Sequence, residues 1–154
     1  MNPFTYDLPY PSQREPVTAQ SVVATSVPIA AVAGLEMLRR GGTAADAAIA
    51  TAACMTVVEP TSNGLGSDAF ALMWDGNAVH GYNGSGRSPR RLDVHAYSQF
   101  SSMPKHGWLS ITVPGAIDLW FRLWKDHGRL TFAELFEPAI DYARNGFLVS
   151  PQTA

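Results

Sequence analysis

The sequence is poor in the residues that mark several common classes of protein. It has one cysteine, Cys54, so an internal disulfide is excluded. Charged residues make up 16% of the 154 residues, the net charge is −2, and no basic cluster is larger than that of Arg87, Arg90 and Arg91. A nucleic-acid partner is therefore not expected. No apolar run approaches the roughly 18 residues that a membrane-spanning helix needs, so no membrane partner is expected either.

Short motifs for catalysis or for cofactor binding are also missing. The four histidines, His80, His95, His106 and His127, are scattered singly without the spacing of metal ligands. The glycines of GLGSDA, residues 64–69, fit a loose dinucleotide fingerprint, but the pattern predicts a helix before them and a strand after them. That order is the reverse of what the fingerprint requires. The residues alone therefore indicate no metal, no cofactor and no complete active site.

Residues 1–21 are predicted to form an extended N-terminal arm. Residues 1–20 hold four of the eleven prolines and show neither helical nor alternating periodicity. They also lack the basic and apolar regions of a secretion signal, so a cytoplasmic location is expected.

Residues 22–60 predict two consecutive helices. Ser26 is expected to cap the first helix, with Pro28 in its first turn, and Gly41 to end it in a left-handed conformation. Thr43 and Asp46 have the spacing of a capping box for the second helix. This second helix is rich in alanine and apolar all round, and we expect it to be enclosed on every side, Ala48 included. A chain of this size has few other residues with which to enclose a helix, so we expect the chain to be part of a larger protein.

The remainder predicts an α+β fold. AFALMWDGNAVHGY, residues 69–82, has the pattern of two strands around a turn, and LSITVPG, residues 109–115, that of a short strand. Helices are expected over residues 116–126 and after a capping box formed by Thr131 and Glu134. The inner face of the last helix is predicted to carry Phe132, Leu135, Phe136, Ala139, Ile140 and Ala143. A two-stranded hairpin is marginal alone, so further strands are expected outside these residues.

Two long blocks resemble one known family in the same order. VVATSVPIAAVAGLEMLRRGGTAADAAIATAACMTVVEPTSNGLG and SITVPGAIDLWFRLWKDHGRLTFAELFEPAIDYARNGFLVSP are similar to the start of the large subunit of γ-glutamyltransferases and their acylase-like relatives. With the hairpin between them they cover residues 22–151. The resemblance implies that residues 22–154 are the N-terminal portion of that subunit, within a four-layer α/β/β/α sandwich of the N-terminal nucleophile hydrolase type.

The resemblance also implies a mechanism. Such proteins are precursors that cut themselves into a large and a small subunit, and the nucleophile is the threonine that begins the small subunit. This chain has no segment like that one, so no catalytic residue is expected within it. The implied partners are the small-subunit portion and a γ-glutamyl or other acyl-amide substrate, without metal or cofactor.

Three residues are candidates for substrate binding. Family members that are specific for γ-glutamyl groups hold the α-carboxylate with an arginine in an Arg-Glu-x-Ala-Pro segment. Aligned on Pro89, that arginine falls on Ser85, and Arg87 stands two residues later. Arg87 either reaches the same pocket or points to solvent. Asp68 replaces a glycine of the family's glycine run; it either binds a substrate amine or holds loop N–H groups.

These departures weaken the case for glutathione as substrate and favour a divergent branch. The expected activity is transfer of a γ-glutamyl or similar acyl group from an amide to water or an amine. The alternatives are an acylase for glutaryl amides such as cephalosporin side chains, and a non-catalytic binding subunit of the same fold.

Overall fold

The computed structural model describes residues 17–149, and most of the predicted arm at residues 1–21 lies outside this range. Four α-helices are described: α1 (Pro28–Arg39), α2 (Ala44–Val58), α3 (Ala116–His127) and α4 (Glu137–Asn145). Strands β1 (Ala69–Trp74) and β2 (Val79–Gly84) form an antiparallel hairpin. Short 3₁₀ turns occupy Val94–Tyr97, Trp108–Ser110 and Glu134–Phe136. The α+β class is confirmed for the described residues.

The turn between α1 and α2 follows from its two glycines and its threonine. Gly41 takes a φ of 87°, and its N–H donates to the carbonyl of Leu38 while the Gly42 N–H donates to the carbonyl of Met37. This pair of bonds is the Schellman arrangement that ends many helices. Thr43 then begins α2 through the predicted capping box, in which Thr43 and Asp46 each bond the other's backbone N–H. Four residues therefore turn one helix back along the other.

The start of α1 differs from its prediction. Its N-cap is Val27, without a side-chain cap, and Pro28 occupies the first turn as expected. The Ser26 hydroxyl donates instead to Glu59 Oε2, 3.3 Å away at the end of α2. The prediction that Ser26 caps the helix is wrong, because a carboxylate from a distant part of the sequence lies within its reach.

Helix α2 lies at the centre of the core and contacts α1, α3 and α4. Ten of its fifteen residues are buried. Residues 17–149 do not enclose it on every side, since Ala44 and Ala48 are exposed and Ala52 is half-buried, and its enclosure in the complete protein stays a prediction. These three alanines stand four residues apart and mark one open stripe of the helix.

The hairpin presents two unlike faces. Ala69, Ala71 and Met73 of β1 pair with Gly84, Tyr82 and His80 of β2 and turn toward the core and α3. The opposite face carries Phe70, Leu72, Trp74 and Val79, exposed by 65%, 83%, 59% and 63%. A sheet face this apolar is unusual for a surface in water.

Two further predictions are corrected by the structure. LSITVPG is not a strand: its first two residues end the 3₁₀ turn Trp108–Ser110, and the backbone that follows has no ladder partner among the described residues. The last helix begins with the predicted Thr131–Glu134 box but passes through the 3₁₀ turn Glu134–Phe136 before α4. This change rotates Ile140 and Ala143 outward, so both are exposed rather than on the inner face.

Candidate functional site

A cleft of about 730 Å³ opens where β2 ends. Its walls come from the residues that follow β2, from the extended segment before α3, and from the first two turns of α3. The residues that line it are Asn83, Ser85, Gly86, Arg87, Val113, Pro114, Gly115, Asp118 and Arg122. Two predicted site residues, Ser85 and Arg87, therefore lie together in one depression.

Glycine allows the two chain segments of this cleft to approach closely. Gly86 has a φ of 77°, and a Cβ there would collide with the carbonyl of Val113. A Cβ on Gly115 would collide with the carbonyl of Gly84. The left-handed conformation and the lack of space both demand glycine at position 86.

Backbone hydrogen bonds fix the segment that carries the two candidate residues. The Val113 N–H donates to the carbonyl of Arg87 at 2.9 Å, and the Thr112 hydroxyl donates to the carbonyl of Ser85 at 3.0 Å. The Arg87 side chain is exposed at the cleft, whereas Ser85 is half-buried. The backbone of residues 85–87 is thus held from one side, and Arg87 is exposed where it lines the cleft.

A second arginine borders the cleft from α3. Arg122 Nη2 donates to the carbonyl of Asn83 at 3.0 Å, and its Nε lies 3.1 Å from Asp118 Oδ2. Arg122 is not among the residues predicted from the sequence. The sequence signal for it is the spacing of four residues between Asp118 and Arg122, which places both on one exposed face of a helix.

Asp68 is not among the residues that line this cleft. It is exposed in the loop before β1, and within residues 17–149 its carboxylate accepts no hydrogen bond. Its neighbour Ser67 makes the structural contact instead, because the Ser67 carbonyl accepts bonds from the N–H groups of Gly115 and Ala116. Because Ala69 pairs with Gly84 in the hairpin, Asp68 lies near Ser85 at the edge of the cleft, although it does not line the cleft itself.

Another polar cluster forms at the hairpin turn. The Asp75 carboxylate accepts bonds from the N–H groups of Ala78 and Asn77 and lies 2.7 Å from His80 Nε2. The bond from Ala78, followed by those from His80 and Asn77, lowers the pKa of Asp75 below its ordinary value. This aspartate completes the turn of the hairpin.

Tyr82 connects the hairpin to the end of α3. Its hydroxyl donates to Asp126 Oδ2 at 2.9 Å, and its ring centre lies 6.0 Å from that of His127. Burial, and then the bond to Asp126, raises the pKa of Tyr82. The contacts of Tyr82 with Asp126 and His127 position β2 against α3 and thereby support one wall of the cleft.

The described residues hold neither a catalytic pair nor a metal centre. Within residues 17–149 no hydroxyl or thiol bonds to a histidine ring, and no three metal-ligating side chains converge. That part of the chain also contains no helix with the length and hydropathy to cross a bilayer. What the cleft can do is bind an anion, since a guanidinium matches the geometry of a carboxylate.

Comparison with known proteins identifies the family. The family model described as Gamma-glutamyltranspeptidase matches residues 30–154. The chain belongs to the γ-glutamyltranspeptidase family. The glutathione hydrolase-like YwrD proenzyme of Bacillus subtilis is 46% identical over 136 residues, which are 86% of this chain and 26% of that protein.

Solved structures of γ-glutamyltranspeptidase relatives have the same fold in this region. A cephalosporin acylase from Bacillus halodurans superimposes with a TM-score of 0.86 at 49% identity, over 98% of this chain and 29% of the acylase. The γ-glutamyltranspeptidase of Helicobacter pylori superimposes with a TM-score of 0.81 at 25% identity, over 91% of this chain and 42% of that chain. The chain thus spans about a quarter of the length of the curated relatives it matches.

Proposed function

We propose that the complete protein transfers a γ-glutamyl or similar acyl group from an amide to water or an amine through a threonine acyl-enzyme. The cleft after β2 would hold the carboxylate of that acyl group, with Arg87 as its ligand. The observation that carries this proposal is an exposed arginine, Arg87, that lines the cleft of a γ-glutamyltranspeptidase chain. Because the nucleophile would come from the small-subunit portion, the residues described here supply substrate binding rather than bond cleavage.

Ser85 favours a second candidate, an acylase for glutaryl amides. It stands where γ-glutamyl-specific members carry the arginine that holds the α-carboxylate, so recognition of an amino acid head group would be altered. The TM-score of 0.86 with a cephalosporin acylase supports the same direction. As a hypothesis, the complete enzyme prefers water as acceptor and cleaves glutathione poorly.

The exposed face of the hairpin supports the four-layer sandwich. Phe70, Leu72 and Trp74 project from the face opposite the helices, with Val79 beside them. In a sandwich of two sheets between two helical layers, each sheet has one face on helices and one on the other sheet. We propose that strands of the small-subunit portion contribute to the sheet that covers this face.

The first experiment is the intact mass of the protein expressed from its complete reading frame. Two fragments, the smaller beginning with threonine, would support the self-processing enzyme. A single uncleaved chain would contradict the proposal and favour the non-catalytic binding subunit.

Kinetics of the processed protein then distinguish the two enzymatic candidates. The substrates are the p-nitroanilides of γ-glutamate and of glutaric acid, compared by kcat/KM. A higher value for the glutaryl compound supports the acylase, whereas a large preference for the γ-glutamyl compound refutes it. Arg87→Gln is expected to raise KM for both substrates by about 10-fold or more, because it removes the charged partner of the carboxylate.

Three further statements drawn from the sequence stay predictions. A cytoplasmic location, a role in glutathione metabolism and the binding of an amine by Asp68 await direct tests. For Asp68, the variant Asp68→Asn should raise KM only for substrates that carry an amino group.

A further inference from the structure

The α3 side of the cleft holds a cation that neither the family resemblance nor the sequence motifs single out. Arg122 lies in the second turn of α3, its side chain is 45% exposed, and it lines the same cleft as Arg87. The two arginines reach the cleft from different elements, one from a loop and one from a helix.

Arg122 is held in place before any ligand binds. Its Nη2 is bonded to the carbonyl of Asn83, and its Nε is paired with Asp118. Nη1 takes part in neither contact. A planar guanidinium fixed along one edge retains N–H donors for an acceptor in the cleft, and this preorganisation reduces the entropy lost on binding.

The charges of the cleft sum to one uncompensated cation. Asp118 balances Arg122, whereas Arg87 has no carboxylate within 4.0 Å in the range 17–149. The Asp118 side chain is 71% exposed, so water screens its hold on Arg122. A ligand with one carboxylate would neutralise the cleft.

We propose that Arg122 is a specificity-determining residue that binds, together with Arg87, the terminal carboxylate of the acyl group. This inference rests on the proposed function and goes beyond it, since it assigns carboxylate recognition to a pair of arginines. Arg122 selects acyl chains that end in a carboxylate over uncharged chains of the same length.

The test uses the complete, self-processed protein and two anilides that differ only in charge. Glutaryl p-nitroanilide and pentanoyl p-nitroanilide have acyl chains of five carbons, and only the first carries a carboxylate. Arg122→Gln is expected to raise KM for the glutaryl compound about 10-fold and to leave the pentanoyl compound unchanged. Arg144→Gln on α4 is the matched control and should change neither value.

An opposite change provides a second test. Asp118→Asn removes the anion that competes for Arg122, so KM for the glutaryl compound should fall by roughly 3-fold. If Arg122 only anchored α3 to the carbonyl of Asn83, this variant would not improve binding. If Arg122→Gln fails to process itself, KM of Asp118→Asn for the glutaryl compound still tests the role of Arg122.

The outcomes separate the inference from the proposed function. A wild-type enzyme that cleaves the glutaryl compound, with Arg122→Gln slowed equally on both anilides, overturns the role of Arg122 and leaves the proposed function standing. An unchanged or higher KM in Asp118→Asn also overturns it. A processed wild-type protein that cleaves neither the glutaryl nor the γ-glutamyl anilide refutes the proposed function, and this inference falls with it.

Discussion

Asp46 joins two segments of the chain at a single buried carboxylate. It is fully buried and accepts bonds from the Thr43 N–H at 2.7 Å and from the Arg129 N–H at 3.0 Å. A buried carboxylate is stable only when its oxygens are bonded in this way. The start of α2 is thereby tied to the loop that connects α3 to α4.

Asp46→Ala should lower the free energy of unfolding of the complete protein by about 3 kcal/mol. Two effects add to this loss: the helix loses its cap, and backbone N–H groups in the interior are left without a hydrogen-bond acceptor. The midpoint of thermal unfolding measures the effect. Asp141→Ala removes an exposed carboxylate bonded only to Asn145 and is the control. Equal midpoints for the two variants would contradict the structural role of Asp46.

Cys54 is expected to be chemically inert in the folded protein. It is fully buried, and burial, aided by the charge of Glu36, raises the pKa of its thiol to about 12. The unfolded thiol has a pKa of about 8.5. As the pH rises between these two values the unfolded state loses a proton that the folded state keeps, so this group lowers stability toward alkaline pH.

Alkylation measures the protection of Cys54. At pH 8, iodoacetamide should modify the Cys54 peptide roughly 100-fold more slowly in native protein than in urea, because the thiolate is the reactive form. Mass spectrometry of the digested protein follows the reaction. Similar rates in both conditions would show that the thiol is accessible.

The secondary-structure elements differ in how far local sequence determines them. The Thr43–Asp46 capping box, the helix end at Gly41 and the hairpin turn at Asp75 all follow from residues close in sequence, and all three predictions are confirmed. The prediction that Ser26 caps α1 failed because its hydroxyl bonds to Glu59, 33 residues away. The predicted strand over residues 109–115 is not formed because a strand needs a partner, and alternation of side chains alone does not supply one.

Helix α4 is attached to α3 by aromatic rings. Phe132 lies with its ring centre 5.5 Å from that of Phe121, 5.4 Å from Trp124 and 5.0 Å from Phe136. Edge-to-face and tilted contacts at these distances add to the burial of apolar area. The sequence predicted an inward Phe132, but not the neighbours it would meet.

Phe132→Ala should therefore lower the free energy of unfolding by roughly 2–3 kcal/mol, through lost burial and lost ring contacts. Urea denaturation of the complete protein, followed by tryptophan fluorescence, reports the change. Phe100→Ala serves as the control, since Phe100 is 43% exposed, and should shift stability by about 0.5 kcal/mol at most. Similar losses in both variants would argue against the aromatic attachment.

For the molecule as a whole, the candidate site was only partly predictable. Ser85 and Arg87 were found because they stand beside a proline that could be aligned with the family segment. Arg122 lies 35 positions after Arg87, and only the packing of α3 against β2 brings it to the cleft. Asp68, which the sequence singled out, is brought near Ser85 by the hairpin register but does not line the cleft.

Leu72→Asp tests whether a second sheet covers the hairpin in the complete protein. Leu72 is 83% exposed here, so a charge would be harmless if this face met water. Under the four-layer arrangement it would bury an unpaired carboxylate, and the precursor should fail to fold and process itself. Val94→Asp, at a position that is 77% exposed in a 3₁₀ turn, is the control and should give processed protein. Normal processing of Leu72→Asp would refute the second sheet.

The four-residue turn between α1 and α2 has a consequence for the order of folding. Contacts between neighbouring segments form faster than contacts between distant ones, because less loop entropy is lost when they close. Both ends of this turn are specified locally, by Gly41 and by Thr43 with Asp46. We expect the helical pair to assemble during synthesis, while later segments are still being made. The alanine stripe of α2 would then stay exposed until later segments of the polypeptide pack against it.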